Sequence, residues 1–276
     1  MVYGAALERR FTRKGIEGSN PSLSAKSMMK NPVEKIFELN KPFVYFHTHI
    51  VDQLTLDEAL TVGKSLEVDM SVGGDGQIFI GHPLSFYEFK KLPPPDNLDF
   101  DQVIHKVEEA DLYLVLDCKD ERAIERAKEI VLKKGADKCL FHSWIDGLLF
   151  KPYPPEITVE PHWPYEDLPT DKVLELRRET GVPLIASCRG LTQARLEAEG
   201  EAIADQIINV AKGRIACINF NLPESELPPK AIIDRLLNEN ILTWVNIDKN
   251  DQGQLPKVYL GMSDHLEKVS DPKDFR

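Results

Sequence analysis

The chain has no run approaching the ~18 consecutive apolar residues of a membrane-spanning helix, and no surplus of basic residues. It carries 34 Lys+Arg against 45 Asp+Glu, a net charge of −11. A broad nucleic-acid surface needs a basic face, so this balance argues against a nucleic-acid partner. An anionic small molecule stays open, because a bound cation can supply local positive charge. Cysteines are few: Cys118, Cys139, Cys188 and Cys217 are widely spaced and form no CxxC pair. Each sits in a short apolar run, which reads as buried free thiols in the strands of a reduced, cytoplasmic protein. No GxGxxG follows the first candidate strand, so the dinucleotide-binding fingerprint is missing. A P-loop and an HExxH helix are missing as well. The composition, 42% hydrophobic and 29% charged over 276 residues, is that of a folded globular chain and excludes collagen-like, coiled-coil and disordered classes.

Residues 1–27 differ from the rest. They hold five Lys/Arg and two Asp/Glu, without the apolar stretch of a secretory signal. The string GIEGSNPSLSA resembles the translated end of a tRNA gene. We therefore expect residues 1–27 to be a leader foreign to the fold, with the start at Met28 or Met29. A single domain is expected over 28–276.

From residue 43 short β-branched or aromatic runs alternate with charged segments of helical period. Eight candidate strands follow: 43–49, 65–72, 112–119, 138–144, 157–163, 182–188, 214–220 and 241–247. A further run at 77–83 follows the turn signal GGDG and reads as a return from the second strand. Helices are expected at 54–63, 120–134, 171–180, 192–212 and 228–240. The segment 120–134 opens with acids and ends in lysines, as the helix dipole favours. Alternating strands and helices with continuous apolar strands imply a parallel sheet covered by helices. Eight such units predict an α/β fold, a single (β/α)₈ TIM barrel, whose chemistry gathers at the C-terminal ends of the strands.

Those ends carry polar residues. The first strand runs into His47 and His49, the second carries Glu67 and Asp69, the return run ends at His82, and the third strand carries Asp117 and Lys119. Residues i and i+2 of a strand share a face, so Glu67 and Asp69 lie together, as do Asp117 and Lys119. Paired carboxylates repel unless a cation intervenes, and a divalent ion with oxygen ligands removes the repulsion. Each pair could equally be an ordinary salt-bridged pair. Imidazoles with pKa values near 6.5 can take or give a proton near neutrality, and His49 competes with His47 for that role. His142, Glu160, His162 and Arg189 stand at other strand ends and read as hydrogen-bonded rim residues. Arg189 is the strongest candidate among them for a phosphate contact. His105 and His265 are assigned no role.

This combination resembles the phosphatidylinositol phospholipase C-like phosphodiesterases, which include the glycerophosphodiester phosphodiesterases and the sphingomyelinase D enzymes of spider venom. Glu67 follows His47 by 20 residues and His82 follows Glu67 by 15. LEVDMSVGGDGQIFIGHP is similar to the family's metal-binding stretch, and Asp117/Lys119 to its sphingomyelinase D form. LTWVNID is similar to the family's Trp-bearing last strand, and GMSDHLEKV to the segment after it. The resemblance spans about residues 43–270. It implies His47 and His82 as general base and acid, Glu67, Asp69 and Asp117 as ligands of Mg²⁺ or Ca²⁺, Lys119 on the phosphate and Trp244 in the substrate cleft. The implied substrate is a small-molecule or lipid-derived phosphodiester, such as a glycerophosphodiester or a lysophospholipid. The sequence departs from the glycerophosphodiesterases in three places: HTH stands for their HRG, DQLT (52–55) for their PENT, and His82-Pro83 for their HD. The last change and the LDxK-like third strand also resemble the menorin proteins. Two further readings are a non-catalytic barrel that binds a phosphorylated ligand, and an amidohydrolase-like metal hydrolase that uses His47 and His49 as an HxH motif with His142 and His162.

Overall fold

The computed structural model describes residues 31–46, 53–73, 75–82, 84, 87–88, 91, 99–144, 170–188, 191–211, 213–222, 226–248 and 258–275. The leader expected at 1–27 lies outside them, and so do His47, His49, Glu160, His162 and Arg189. Among the described residues nine strands make one sheet: β1 (Phe43–Phe46), β2 (Leu66–Val72), β3 (Ile78–Ile80), β4 (Leu114–Cys118), β5 (Cys139–Trp144), β6 (Leu184–Ser187), β7 (Cys217–Asn219), β8 (Leu242–Asn246) and β9 (Leu260–Ser263). All but β3 run parallel, in the order β1-β9-β8-β7-β6-β5-β4-β2, and a β1–β2 pairing closes the ring. The fold is a closed eight-stranded (β/α)₈ barrel. β3 lies antiparallel on β2 outside the ring, with Met70, Ser71 and Val72 opposite Ile80, Phe79 and Ile78. It is the return run expected at 77–83.

One stave differs from expectation. β5 pairs directly with β6, with Phe141 opposite Leu184 and Ser143 opposite Ala186, and the strand expected at 157–163 lies outside the described residues. The eighth stave is β9, which pairs with both β8 and β1. The Trp-bearing strand is therefore the next to last. A barrel position needs two neighbouring strand edges, and no local pattern of alternation reports on edges.

Helices α1 (Pro32–Leu39), α2 (Gln53–Val62), α3 (Phe100–Glu109), α4 (Glu121–Lys134), α5 (Thr170–Thr180), α6 (Gln193–Ala211) and α7 (Lys230–Asn238) are described with the strands. Strand parity separates two cores. Leu66, Val68, Met70, Leu114, Leu116, Cys118, Cys139, Phe141, Leu184, Ala186 and Ile218 point out against the helices. Phe43, Tyr45, Tyr113, Val115, Leu140, Ile185, Cys217, Leu242 and Leu260 point into the bore. All four cysteines are buried free thiols.

The N-terminal end of the bore is sealed by α1 and by a short C-terminal 3₁₀ turn, Pro272–Phe275. α1 starts in a capping box. Asn31 Oδ1 accepts the Glu34 amide at 2.9 Å, and Glu34 Oε2 accepts the Asn31 amide at 3.2 Å. Pro32 follows at the first helical position, where its missing N–H costs nothing. Val33 and Ile36 pack with Phe275 on Phe43. Phe43 meets Tyr113 and Phe275 edge-on, with centroids 5.2 and 4.9 Å apart, contacts each worth about 0.5–1.5 kcal/mol beyond burial. Tyr113 also donates its hydroxyl to the Phe275 carbonyl at 3.3 Å.

Candidate functional site

At the opposite, C-terminal end the same inward parity delivers charge. Asp69 lies level with Asp117, and Asp117 level with His142. Glu67 sits two residues earlier on β2, on the same inner face. Glu67, Asp69, Asp117 and His142 are 3%, 4%, 2% and 6% exposed, so three acids and an imidazole are almost wholly withdrawn from water. Such a group is tolerated only when paired.

The pairing is specific. Lys119, next after β4, places its ammonium 2.5 Å from Asp117 Oδ2 and 3.3 Å from Asp69 Oδ1. His142 Nδ1 lies 3.0 Å from Asp117 Oδ2 and 3.9 Å from Glu67 Oε1. Burial works against charge on Asp117, but His142 and Lys119 outweigh it and hold the carboxyl well below its ordinary range. Burial likewise opposes charge on Lys119, and Asp117 and Asp69 overcome it, so its pKa rises well above the usual lysine value. For His142 burial pulls down while Asp117 and Glu67 pull up, and the imidazole is pushed up to about 10. Tyr45 is buried in the same bore. Burial first, and then the Glu67 charge, raises its phenol well above the ordinary value. Its oxygen accepts Trp244 Nε1–H at 2.6 Å.

His82 reaches the site through the hairpin. Gly76, at φ +81°, where a glycine is the default residue, donates its amide to the Gly73 carbonyl at 2.9 Å as the chain reverses. The Gly81 amide bonds the Asp69 carbonyl at 3.0 Å, and Ser71 Oγ donates to the Gly81 carbonyl at 2.7 Å. His82 Nε2 then stands 3.4 Å from Asp69 Oδ2. Tyr87 Oη accepts the His82 amide at 3.3 Å. From the other side Asp120 caps α4 through the Ala123 amide, at 3.0 Å, and takes the Val72 amide at 2.6 Å, which ties the end of β2 to the start of α4.

Of the residues singled out in sequence, Glu67, Asp69, Asp117, Lys119 and His82 converge. Trp244, on β8, bonds Tyr45 and lines a cleft of about 130 Å³ with Asn219, Asn246, Leu227 and Met262. His142, read as a rim residue, is inside the cluster instead. The signal was present: in CLFHSW the apolar Cys139 and Phe141 take the outer face, which leaves Leu140 and His142 to the bore. Two further residues carried no signal. Ser187 Oγ lies 2.6 Å from His142 Nε2, and Asn219 Nδ2 donates to the same oxygen at 3.0 Å. His142 also figures in the HxH reading, whose other histidines, His47, His49 and His162, all lie outside the described residues.

A divalent cation fits this donor set. One ligand atom from each of Glu67, Asp117 and His142 falls within 4.8 Å of the others. Glu67 Oε2 and Asp117 Oδ1 are buried without a hydrogen-bond partner among the described residues, the condition a bound cation would relieve. Asp69 is turned to Lys119 and His82. Among the described residues no helix is long and apolar enough to cross a membrane.

No known protein family and no curated protein matches the chain in sequence. Among solved structures, a Galdieria sulphuraria protein named as a candidate glycerophosphodiester phosphodiesterase is similar with a TM-score of 0.51 and 12% identity, over 81% of this chain and 94% of that one. A phosphonopyruvate hydrolase solved with oxalate and Mg²⁺ is similar with a TM-score of 0.44 and 10% identity, over 85% and 80% of the two chains. At these identities the likeness is one of barrel fold alone.

Proposed function

We propose that the protein is a divalent-metal-dependent phosphodiesterase acting on a glycerophosphodiester or a lysophospholipid-type substrate, which would place it in lipid metabolism. The observation that carries this reading is the convergence of buried, partly unsatisfied carboxylates with one ammonium and a flanking histidine at the C-terminal mouth of the barrel. The order of motifs in the sequence, and the name of the Galdieria sulphuraria structure, support the phosphodiester class.

Glu67 and Asp117 would hold the cation, and the sequence pattern adds Asp69 and points to Mg²⁺ or Ca²⁺. Such an ion supplies Lewis-acid polarisation of a phosphoryl oxygen. The protein's own groups do the rest. Lys119, kept protonated by two acids, presents a fixed positive charge to the anionic phosphate. Asp69, 3.4 Å from His82 Nε2, orients that ring, and His82 would protonate the leaving oxygen. His47, assigned by motif order, would take the proton of the attacking hydroxyl, whether of water or of the substrate's own alcohol. Arg189 and Trp244 remain the candidates for binding the rest of the substrate.

The test is hydrolysis of a panel of lysophospholipids and glycerophosphodiesters with Mg²⁺ by His82→Ala and Asp69→Ala. Each should lose roughly 10²–10⁴-fold in kcat. Undiminished turnover in both variants removes the reading.

A further inference from the structure

The identity of the third donor decides which cation the site prefers. Asp69 stands outside the group of ligand atoms that lie within 4.8 Å of one another, and its two oxygens lie 3.3 Å from Lys119 and 3.4 Å from His82. His142 is well placed. Its Nδ1 faces both Asp117 and Glu67, and it belongs with them to the group whose ligand atoms lie within 4.8 Å of one another.

The ring is held in that orientation from behind. Nε2 meets Ser187 Oγ at 2.6 Å. Asn219 Nδ2 donates to that hydroxyl at 3.0 Å, and the Asn219 amide cannot turn over, because its Oδ1 accepts the Asn221 amide at 2.8 Å. An imidazole that binds a cation through Nδ1 carries its hydrogen on Nε2 and needs an acceptor there. A serine hydroxyl is one. This is the arrangement in which outer groups fix the tautomer and direction of a ligating histidine.

We propose that His142 Nδ1 ligates the cation together with Glu67 and Asp117, with Ser187 and Asn219 as its positioning residues, and that this two-carboxylate, one-imidazole set takes a first-row transition dication in preference to Mg²⁺ or Ca²⁺. Imidazole suits such metals, whereas Mg²⁺ and Ca²⁺ favour all-oxygen sets. The inference rests on the cation site of the proposed function but not on its substrate.

The experiment uses the full chain stripped of metal. Calorimetry compares Mn²⁺, Zn²⁺, Mg²⁺ and Ca²⁺, and pulsed electron paramagnetic resonance of the Mn²⁺ form reads nitrogen coordination directly. Expected are one ion per chain, Mn²⁺ and Zn²⁺ bound at least about tenfold more tightly than Mg²⁺, and an imidazole ¹⁴N coupling that His142→Gln abolishes. Ser187→Ala, a milder change, should keep the coupling and weaken affinity by roughly 10–100-fold. Equal affinity for Mg²⁺ and Mn²⁺, no nitrogen coupling, coupling that survives in His142→Gln, or unchanged affinity in Ser187→Ala overturns the proposal. Nitrogen coupling without phosphodiester hydrolysis upholds it while removing the functional reading, and hydrolysis with an all-oxygen site does the reverse.

Discussion

The two ends of the bore are built from the same strands with the same inward parity, and both are buried, yet they do opposite things. The N-terminal end is filled by Phe43, Tyr113, Leu140 and Leu260, sealed by Val33, Ile36 and Phe275. The C-terminal end is filled by Glu67, Asp69, Asp117, Lys119 and His142. Burial at the floor yields hydrophobic and aromatic stabilisation. At the mouth burial costs desolvation, which the ion pairs offset only in part. A site that keeps carboxylate oxygens unsatisfied in the dry interior gives up stability for binding.

The sharpest way to test that contrast is to damage the floor. Phe275→Ala removes a fully buried ring and should lower unfolding free energy in urea by about 3–5 kcal/mol. Cation binding should be unchanged in the molecules still folded. If binding falls with stability, the two ends are not independent.

Next in size is the effect of a cation on the mouth. Saturation at a hundredfold over Kd should stabilise the stripped protein by about 2.7 kcal/mol, seen as a rise in Tm. Asp117→Asn should abolish the rise, whereas Phe275→Ala should keep it.

The third effect, of intermediate size, is the pH dependence of the cation-free protein. His142 has its pKa raised to about 10 in the folded state. Its contribution is therefore complete below its unfolded pKa and lost as pH climbs through about 10. Asp117, whose folded pKa is depressed, contributes above its unfolded value of 3.8 and loses that contribution as pH falls through the lower folded one. Tm should therefore decline at both extremes, and His142→Gln should flatten the alkaline limb. A floor made of apolar groups predicts no such limb. The smallest effect is at the edge of the floor. Asn31→Ala, which breaks the cap of α1, should cost about 1 kcal/mol by urea titration and leave cation affinity untouched.

Much of this was legible in the sequence, unevenly. Seven of the eight staves stand where β-branched runs placed them, and the hairpin return of β3 was marked by its glycine turn. The i, i+2 spacing put Glu67 with Asp69 and Asp117 with Lys119, because strand parity is a local property. The eighth stave was missed. β9 is four residues long and contains Gly261, where a Cβ would come within 3.1 Å of the Val245 carbonyl oxygen. That glycine lowers strand propensity while serving barrel closure. His142 could be placed in the bore by parity but not assigned partners. Ser187 stands 45 residues after it and Asn219 a further 32, and nothing local links a serine on one strand to an amide on the next.

The amino-acid sequence by itself determined which residues face inward and that acids, a lysine and histidines collect at strand ends, because alternation along a strand is set by backbone geometry within a few residues. Only closure of the barrel decided which of them meet. The ring set β5 beside β4, β6 beside β5 and β7 beside β6, turned Asp69 to Lys119 and His82, and put His142 in the company of Glu67 and Asp117, since distances between staves depend on pairing and register across the whole chain.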